Sequence, residues 1–150
     1  MPYAEDLLDQ ARQLATKERT RPRQASLRRA VSTAYYALFH LLIASASAHW
    51  TPARQRFGFG RMFEHGRMYS ACLRKRPGSP DDLAVVTEAF RELHDHRQTA
   101  DYDGSREWSR PEVIDIVDEA RAAFDSWKRV RKHPAAHDLL LSFLSPRNRL

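Results

Sequence analysis

The sequence is poor in cysteine and lysine, with one Cys and four Lys in 150 residues. The lone Cys72 excludes an intrachain disulfide framework and every cysteine-rich zinc module, and it suits a reducing cytoplasm better than secretion. The start, Met1-Pro2-Tyr3-Ala4-Glu5-Asp6, lacks the basic and apolar regions of a signal peptide, so the expectation is a cytoplasmic protein. P-loop, glycine-rich dinucleotide fingerprint and nucleophile elbow are all missing, and no cofactor is expected. One stretch has the length of a membrane span, because Ala30 to Ala48 carries no formal charge. Ser32, Thr33, Tyr35, Tyr36, His40, Ser45 and Ser47 make it too polar for a lipid-facing helix, so it reads as a buried soluble helix with no membrane partner.

What the chain has in excess is arginine. It supplies 21 of the 25 basic residues, which stand against 19 acidic ones for a net charge of +6. The planar guanidinium suits bidentate contacts to phosphate or carboxylate. Nucleic acid is therefore one expectation, and arginine-rich solvated faces are the other. A chain of this length buries about 68–70% of the surface its unfolded form exposes, enough for one genuine core. The expected organisation is a single domain over 1–145 and a basic tail over 146–150.

Strand signals are scarce and the 3.6-residue period is strong, so the fold class is all-α. The first helix is predicted over 3–19, with Tyr3, Leu7, Ala11 and Leu14 as its stripe, and the second over 23–48, with Leu27, Val31, Ala34, Leu38, Leu41 and Leu42. Residues 53–61 read as irregular. A third helix over 61–75 takes Met62, Phe63, Gly66, Tyr69 and Leu73 as its stripe. Ser79-Pro80-Asp81-Asp82 then predicts an N-cap serine, a first-turn proline and two acids on the positive end of a helix reaching about residue 97. Its core stripe is Leu83, Val86, Phe90 and Leu93. Ser109-Arg110-Pro111-Glu112 is a capping box opening a helix striped by Val113, Ile116, Val117, Ala120, Phe124 and Trp127, which Pro134 closes. Asp138 to Leu144 is a short apolar turn or helix. Short connections favour an antiparallel up-and-down bundle of four to five helices.

On the second helix, a 100° step lines up Arg28, Ser32, Tyr35 and Phe39 beside Arg29, Thr33, Tyr36 and His40. Anion-binding groups, hydroxyls and aromatic rings on one face suit either a subunit interface or a nucleotide-contacting groove, with core packing as the alternative. Arg97 continues the stripe of Leu83, Val86, Phe90 and Leu93, so a buried-facing line ends in a guanidinium that needs an acceptor. That acceptor is either a bound phosphate or a carboxylate clamp from Asp101 or Asp103. The aromatic–arginine loop Arg54-Gln55-Arg56-Phe57-Gly58-Phe59-Gly60-Arg61 resembles single-stranded RNA binders on composition, but it reads better as Phe57 and Phe59 anchoring a loop. His133 and His137 are separated by the helix-breaking Pro134, and no metal site is expected. Trp108 precedes the Ser109 cap, with Val113 at the staple position.

The string Arg29-Ala30-Val31-Ser32-Thr33-Ala34-Tyr35-Tyr36-Ala37-Leu38-Phe39-His40, within Leu27 to Leu42, resembles the second helix of HEPN domains, a nucleotide-binding family. The block Arg97-Gln98-Thr99-Ala100-Asp101-Tyr102-Asp103 resembles the motif that follows in small bacterial members, and the likeness covers roughly residues 5–130. The resemblance implies an antiparallel helical bundle that commonly dimerises, with the motif helices of two subunits facing a groove. Active members of the family are metal-independent ribonucleases carrying an arginine and, four to six residues on, a histidine. Many belong to toxin–antitoxin pairs, often beside a nucleotidyltransferase, or to antiviral systems. Here Tyr102, Asp103 and Gly104 follow Arg97 where that histidine belongs. The spacing does occur at Arg91 and His96, but the two lie about 140° apart on a continuous helix, and about three such matches arise by chance in so arginine-rich a chain.

The expectation is a cytoplasmic homodimer engaging RNA or nucleotide phosphate, a toxin–antitoxin or defence component. Arg97 would face the phosphate, Asp101 orient it, Tyr102 donate a hydroxyl, and His94 or His96 move a proton. Arg28, Arg29, Ser32, Tyr36 and His40 would line the nucleic-acid groove. The competing expectation is a non-catalytic helical module whose aromatic second-helix face binds a partner protein such as a nucleotidyltransferase.

Overall fold

The structure, a computed structural model, describes residues 2–145; the expected basic tail lies outside the described residues. It is an all-helical bundle: α1 (Pro2–Ala15), α2 (Gln24–Ser47), a 3-10 turn (Ala53–Gln55), α3 (Arg56–Gly60), α4 (His65–Leu73), α5 (Asp81–Tyr102), α6 (Arg110–Val130) and α7 (Pro134–Ser142). There is no strand among the described residues.

Helix α2 lies at the centre, packed against α1, α5 and α6. Six consecutive residues, Ala30 to Tyr35, are buried, which covers every side of the helix over one and a half turns. A helix apolar all round must be enclosed in this way. It is the one described helix long and apolar enough to cross a membrane, and most of that surface is covered by the protein itself. The stripes expected for α2, α5 and α6 are all buried.

Three registers differ from expectation. Helix α1 ends at Ala15 and buries Ala4, Leu8, Ala11 and Ala15 while Tyr3 is exposed. Three alanines on this face let α1 approach α2 closely, so small residues win over the larger neighbouring stripe. Helix α4 begins at His65, after an extended Glu64, and buries Met68, Ala71 and Cys72; Met62 and Leu73 are exposed. At α5 the cap is Pro80, and the Ser79 hydroxyl donates back to Arg76 O at 2.7 Å. The helix also runs on to Tyr102, carrying Arg97 and Asp101 on one continuous segment. The expected irregular segment 53–61 is largely helical: Phe59 stacks on Trp50 at 4.8 Å and anchors it, whereas Phe57 is 79% exposed. Pro134 closes nothing but opens α7, with the His133 ring accepting from Ala135 N.

Three arginines are tied up at helix ends. Arg28 of α2 donates to Ala100 O and Asp103 O, both at 2.8 Å, and to Arg106 O, covering the carbonyls around the end of α5. Arg110 of α6 donates to Ala15 O at 3.0 Å and to Glu18 O after α1, and Arg76 donates to Ala71 O of α4 at 2.9 Å. The last carbonyls of a helix have no partner inside it and carry its negative dipole end, so a multi-donor cation satisfies both needs. At the other end of α6, the capping box is complete: Glu112 N donates to Ser109 Oγ and Ser109 N to Glu112 Oε1. Gln24 holds the adjacent chain by pairing with both Trp108 O (2.8 Å) and Trp108 N (2.9 Å).

Two stability measurements follow. Arg28→Met keeps the aliphatic stem and strips three carbonyls of a donor, so urea unfolding should show a loss of about 2 kcal/mol. Ser109→Ala should cost about 1 kcal/mol, a fall in Tm of about 2–4 °C for a chain of this size.

Candidate functional site

Arg97 sits near the end of α5, where α2 and the first turn of α4 converge. Its side chain is only 11% exposed. The guanidinium carbon stands 5.5 Å from the Tyr35 ring centroid and 5.3 Å from that of Tyr36, and Nη2 donates to Tyr36 Oη at 3.0 Å. The aromatic faces of α2 therefore receive a cation. Asp101, one turn further along α5, holds its carboxylate 3.7 Å from Arg97 Nε, too far for a hydrogen bond, and accepts from Ser32 Oγ at 3.3 Å. Arg97 Nε is buried without an acceptor among the described residues. Burial opposes the charge on Arg97, but the Tyr36 hydroxyl, Tyr35 and Asp101 outweigh it and raise the guanidinium above its ordinary value.

His65, the first residue of α4, completes the enclosure. Its ring stacks on Phe39 at 4.1 Å, and Nδ1 lies 2.6 Å from Tyr35 Oη. Burial pushes the Tyr35 phenol well above its ordinary value, so it keeps its proton. The Tyr35 hydroxyl has no other hydrogen-bond partner, and donating to Nδ1 satisfies both groups, which assigns the His65 proton to Nε2. Burial, then the charges of Arg97, His94 and His40, hold His65 below the usual histidine value; it is neutral at pH 7. His94 packs edge-on against Tyr35 at 5.7 Å and tilted against Tyr69 at 4.5 Å, and Tyr69 Oη donates to Asp95 at 3.3 Å.

The structure gathers some of the expected site residues and separates others. Arg97, Asp101, Ser32, Tyr36 and His40 share one region; His40 lies between Tyr36 (6.4 Å) and Tyr3 (5.0 Å), and burial lowers its pKa. Tyr102 is 78% exposed, and its hydroxyl has no hydrogen-bond partner among the described residues. His96 packs edge-on against Trp108 at 6.1 Å, while Arg91 sits beside Tyr69 and Cys72, so this pair does not converge. Arg28 serves as the α5 cap described above, and Arg29 is exposed, with no ion pair among the described residues. On the α2 aromatic face offered for a partner protein, Tyr35 and Phe39 are buried while Tyr36 and His40 are partly exposed. His65 and the hydroxyl role of Tyr35 have no local sequence signal, since the two residues meet across 30 positions of chain.

Among the described residues no group of three His, Cys, Asp or Glu side chains is placed to hold a metal ion. Comparisons with family models, with curated proteins and with solved structures find no match for this chain.

The histidine environment sets a pH dependence. His65 and His40 both titrate below the ordinary value of 6.5 in the folded chain, so as the pH falls through that value the unfolded chain takes up protons first and stability declines. Thermal unfolding should show Tm falling from pH 7 toward pH 5. Arg97→Gln removes a neighbouring positive charge, and the NMR titration of the His65 ring should then move upward.

Proposed function

We propose that this protein binds RNA or nucleotide phosphate at the junction of α2, α4 and α5, with Arg97 facing the phosphate. One observation carries the reading. Arg97, His40, His65 and His94 crowd one enclosed aromatic region, the guanidinium makes a single hydrogen bond, and its nearest carboxylate stays out of hydrogen-bond reach at 3.7 Å. The guanidinium keeps donors unused there, Nε among them, and a phosphate oxygen accepts from such donors. The partly exposed Tyr36 ring beside it gives a flat surface against which a base can stack. The resemblance of residues 27–42 and 97–103 to HEPN domains supports the same reading. It adds an antiparallel up-and-down arrangement, a cytoplasmic homodimer and a place in a toxin–antitoxin or antiviral-defence system.

The geometry favours binding over cleavage. A base for 2′-hydroxyl attack must have a free nitrogen lone pair, and that of His65 is taken by the Tyr35 hydroxyl. Its depressed pKa also makes its protonated form scarce at neutral pH. A second reading, a helical module that docks a partner protein such as a nucleotidyltransferase, draws on a different surface: Trp50, Met62 and Leu141 are exposed around the half-buried Phe59.

Fluorescence anisotropy with a labelled single-stranded RNA tests the proposal. Affinity should fall steeply with salt, and Arg97→Gln should weaken binding at least tenfold, with the RNA intact afterwards in the presence or absence of EDTA. A flat salt response with no effect of Arg97→Gln would reject phosphate binding and favour the docking module.

A further inference from the structure

A second concentration of positive charge lies on the other flank of α4. The connection from α4 to α5 and the facing turns of both helices enclose a cavity of about 340 Å³. Arg74, Lys75, Arg76 and Arg91 line it, with Ser79 at its edge and Glu88 as the one lining carboxylate. Among the described residues none of the four cations makes an ion pair. Arg76 has its Nη2 on two neutral acceptors, Ala71 O and Ser142 Oγ, and the Nε atoms of both Arg76 and Arg91 are buried without an acceptor among the described residues. Burial lowers the pKa of Arg76; Cys72 opposes this, and the charge of Arg74 lowers it further, ahead of the opposing Asp138. Four cations sharing a partly enclosed space with one carboxylate repel one another, and the arrangement is relieved by an anion with several oxygens.

We infer that this cavity is a phosphate site, and that it holds a backbone phosphate of the RNA bound at Arg97. The second clause rests on the function proposed above; the first stands without it. Three features identify the ligand chemistry. The volume falls at the lower end of small-ligand cavities, about 300–1,000 Å³. The guanidinium and ammonium donors match phosphate oxygens. No aromatic side chain lines the cavity, so nothing there stacks a base, and the phosphate of a chain fits better than a free nucleotide. Position supplies the link to Arg97: Arg91 and Arg97 are six residues apart on α5, about 9 Å along the axis. That is between two and three stacked nucleotide steps of about 3.4 Å, with Tyr69 and His94 in between.

Two titrations of the full chain test this. Inorganic phosphate should shift the Arg76 and Arg91 Nε–H resonances saturably, chloride at equal ionic strength should not, and Arg91→Gln should remove the effect. Oligouridylates of two, four and eight nucleotides form the second arm. Lys75→Gln, an exposed change that leaves the packing alone, should weaken the eight-mer and lower its salt slope by about 0.7, and Arg91→Gln should weaken it about tenfold, while neither alters the two-mer. Absence of a saturable phosphate shift overturns the site, and if the eight-mer still depends on Arg97 the function proposed above survives. A phosphate shift without any dependence of RNA binding on Lys75 or Arg91 keeps the site for free phosphate and rejects the RNA backbone as its source. A phosphate shift with no RNA binding at all also rejects that source, and it rejects the Arg97 reading with it.

Discussion

A helix without a charged residue for nineteen positions has to be surrounded, and enclosing α2 organises this molecule. The alanines of α1 bring one neighbour close, and the apolar stripes of α5 and α6 cover two other sides. Several polar groups drawn inside by this enclosure are satisfied locally: Trp127 Nε1 donates to Ser45 Oγ, which donates to Leu41 O, and Ser26 donates to Glu18, while Ser47 Oγ has no partner among the described residues. The phenol of Tyr35 is the member of this set that reaches outward, through His65, to the start of α4. The candidate site is thus built on the margin of the core, where burial of α2 is nearly complete and the α5 guanidinium still meets water.

The arginine excess has two causes that composition cannot separate. Arg28, Arg76 and Arg110 terminate helices; they meet carbonyls, and their charge complements dipoles inside the protein. Arg106 is held by Glu112 in a bidentate pair and lies 3.7 Å from the Trp108 ring. Arg74, Arg91 and Arg97, at the two flanks of α4, are not spent as helix caps, and Arg76 caps α4 with its Nη2 while its Nε has no acceptor among the described residues. Net charge alone overstates the nucleic-acid signal in a chain that uses arginine as a structural cap.

Much of the fold was legible because its signals are local. The buried stripes of α2, α5 and α6 follow from apolar spacing, and the Ser109–Glu112 box is complete within four residues. Arg97 could be singled out because a guanidinium interrupts a stripe. The misplaced stripes of α1 and α4 show the limit: a one-residue choice between adjacent apolar lines turns a helix by 100°, and alanines that permit close approach carry little weight in a pattern of large side chains. His65 and the capping role of Arg28 were invisible for a different reason, since both depend on partners 30 and more than 70 positions away.

Cys72 gives the chain a built-in clock. Its thiol is 4% exposed, and burial pushes it up to about 12. At pH 7 the thiol therefore keeps its proton while the bundle is closed. Labelling of this single cysteine is therefore slow in the closed bundle, and its pace reports how often the surroundings of Cys72 open in the unmodified protein. Cys72 lines the cavity between α4 and α5, so a ligand seated there would slow that pace.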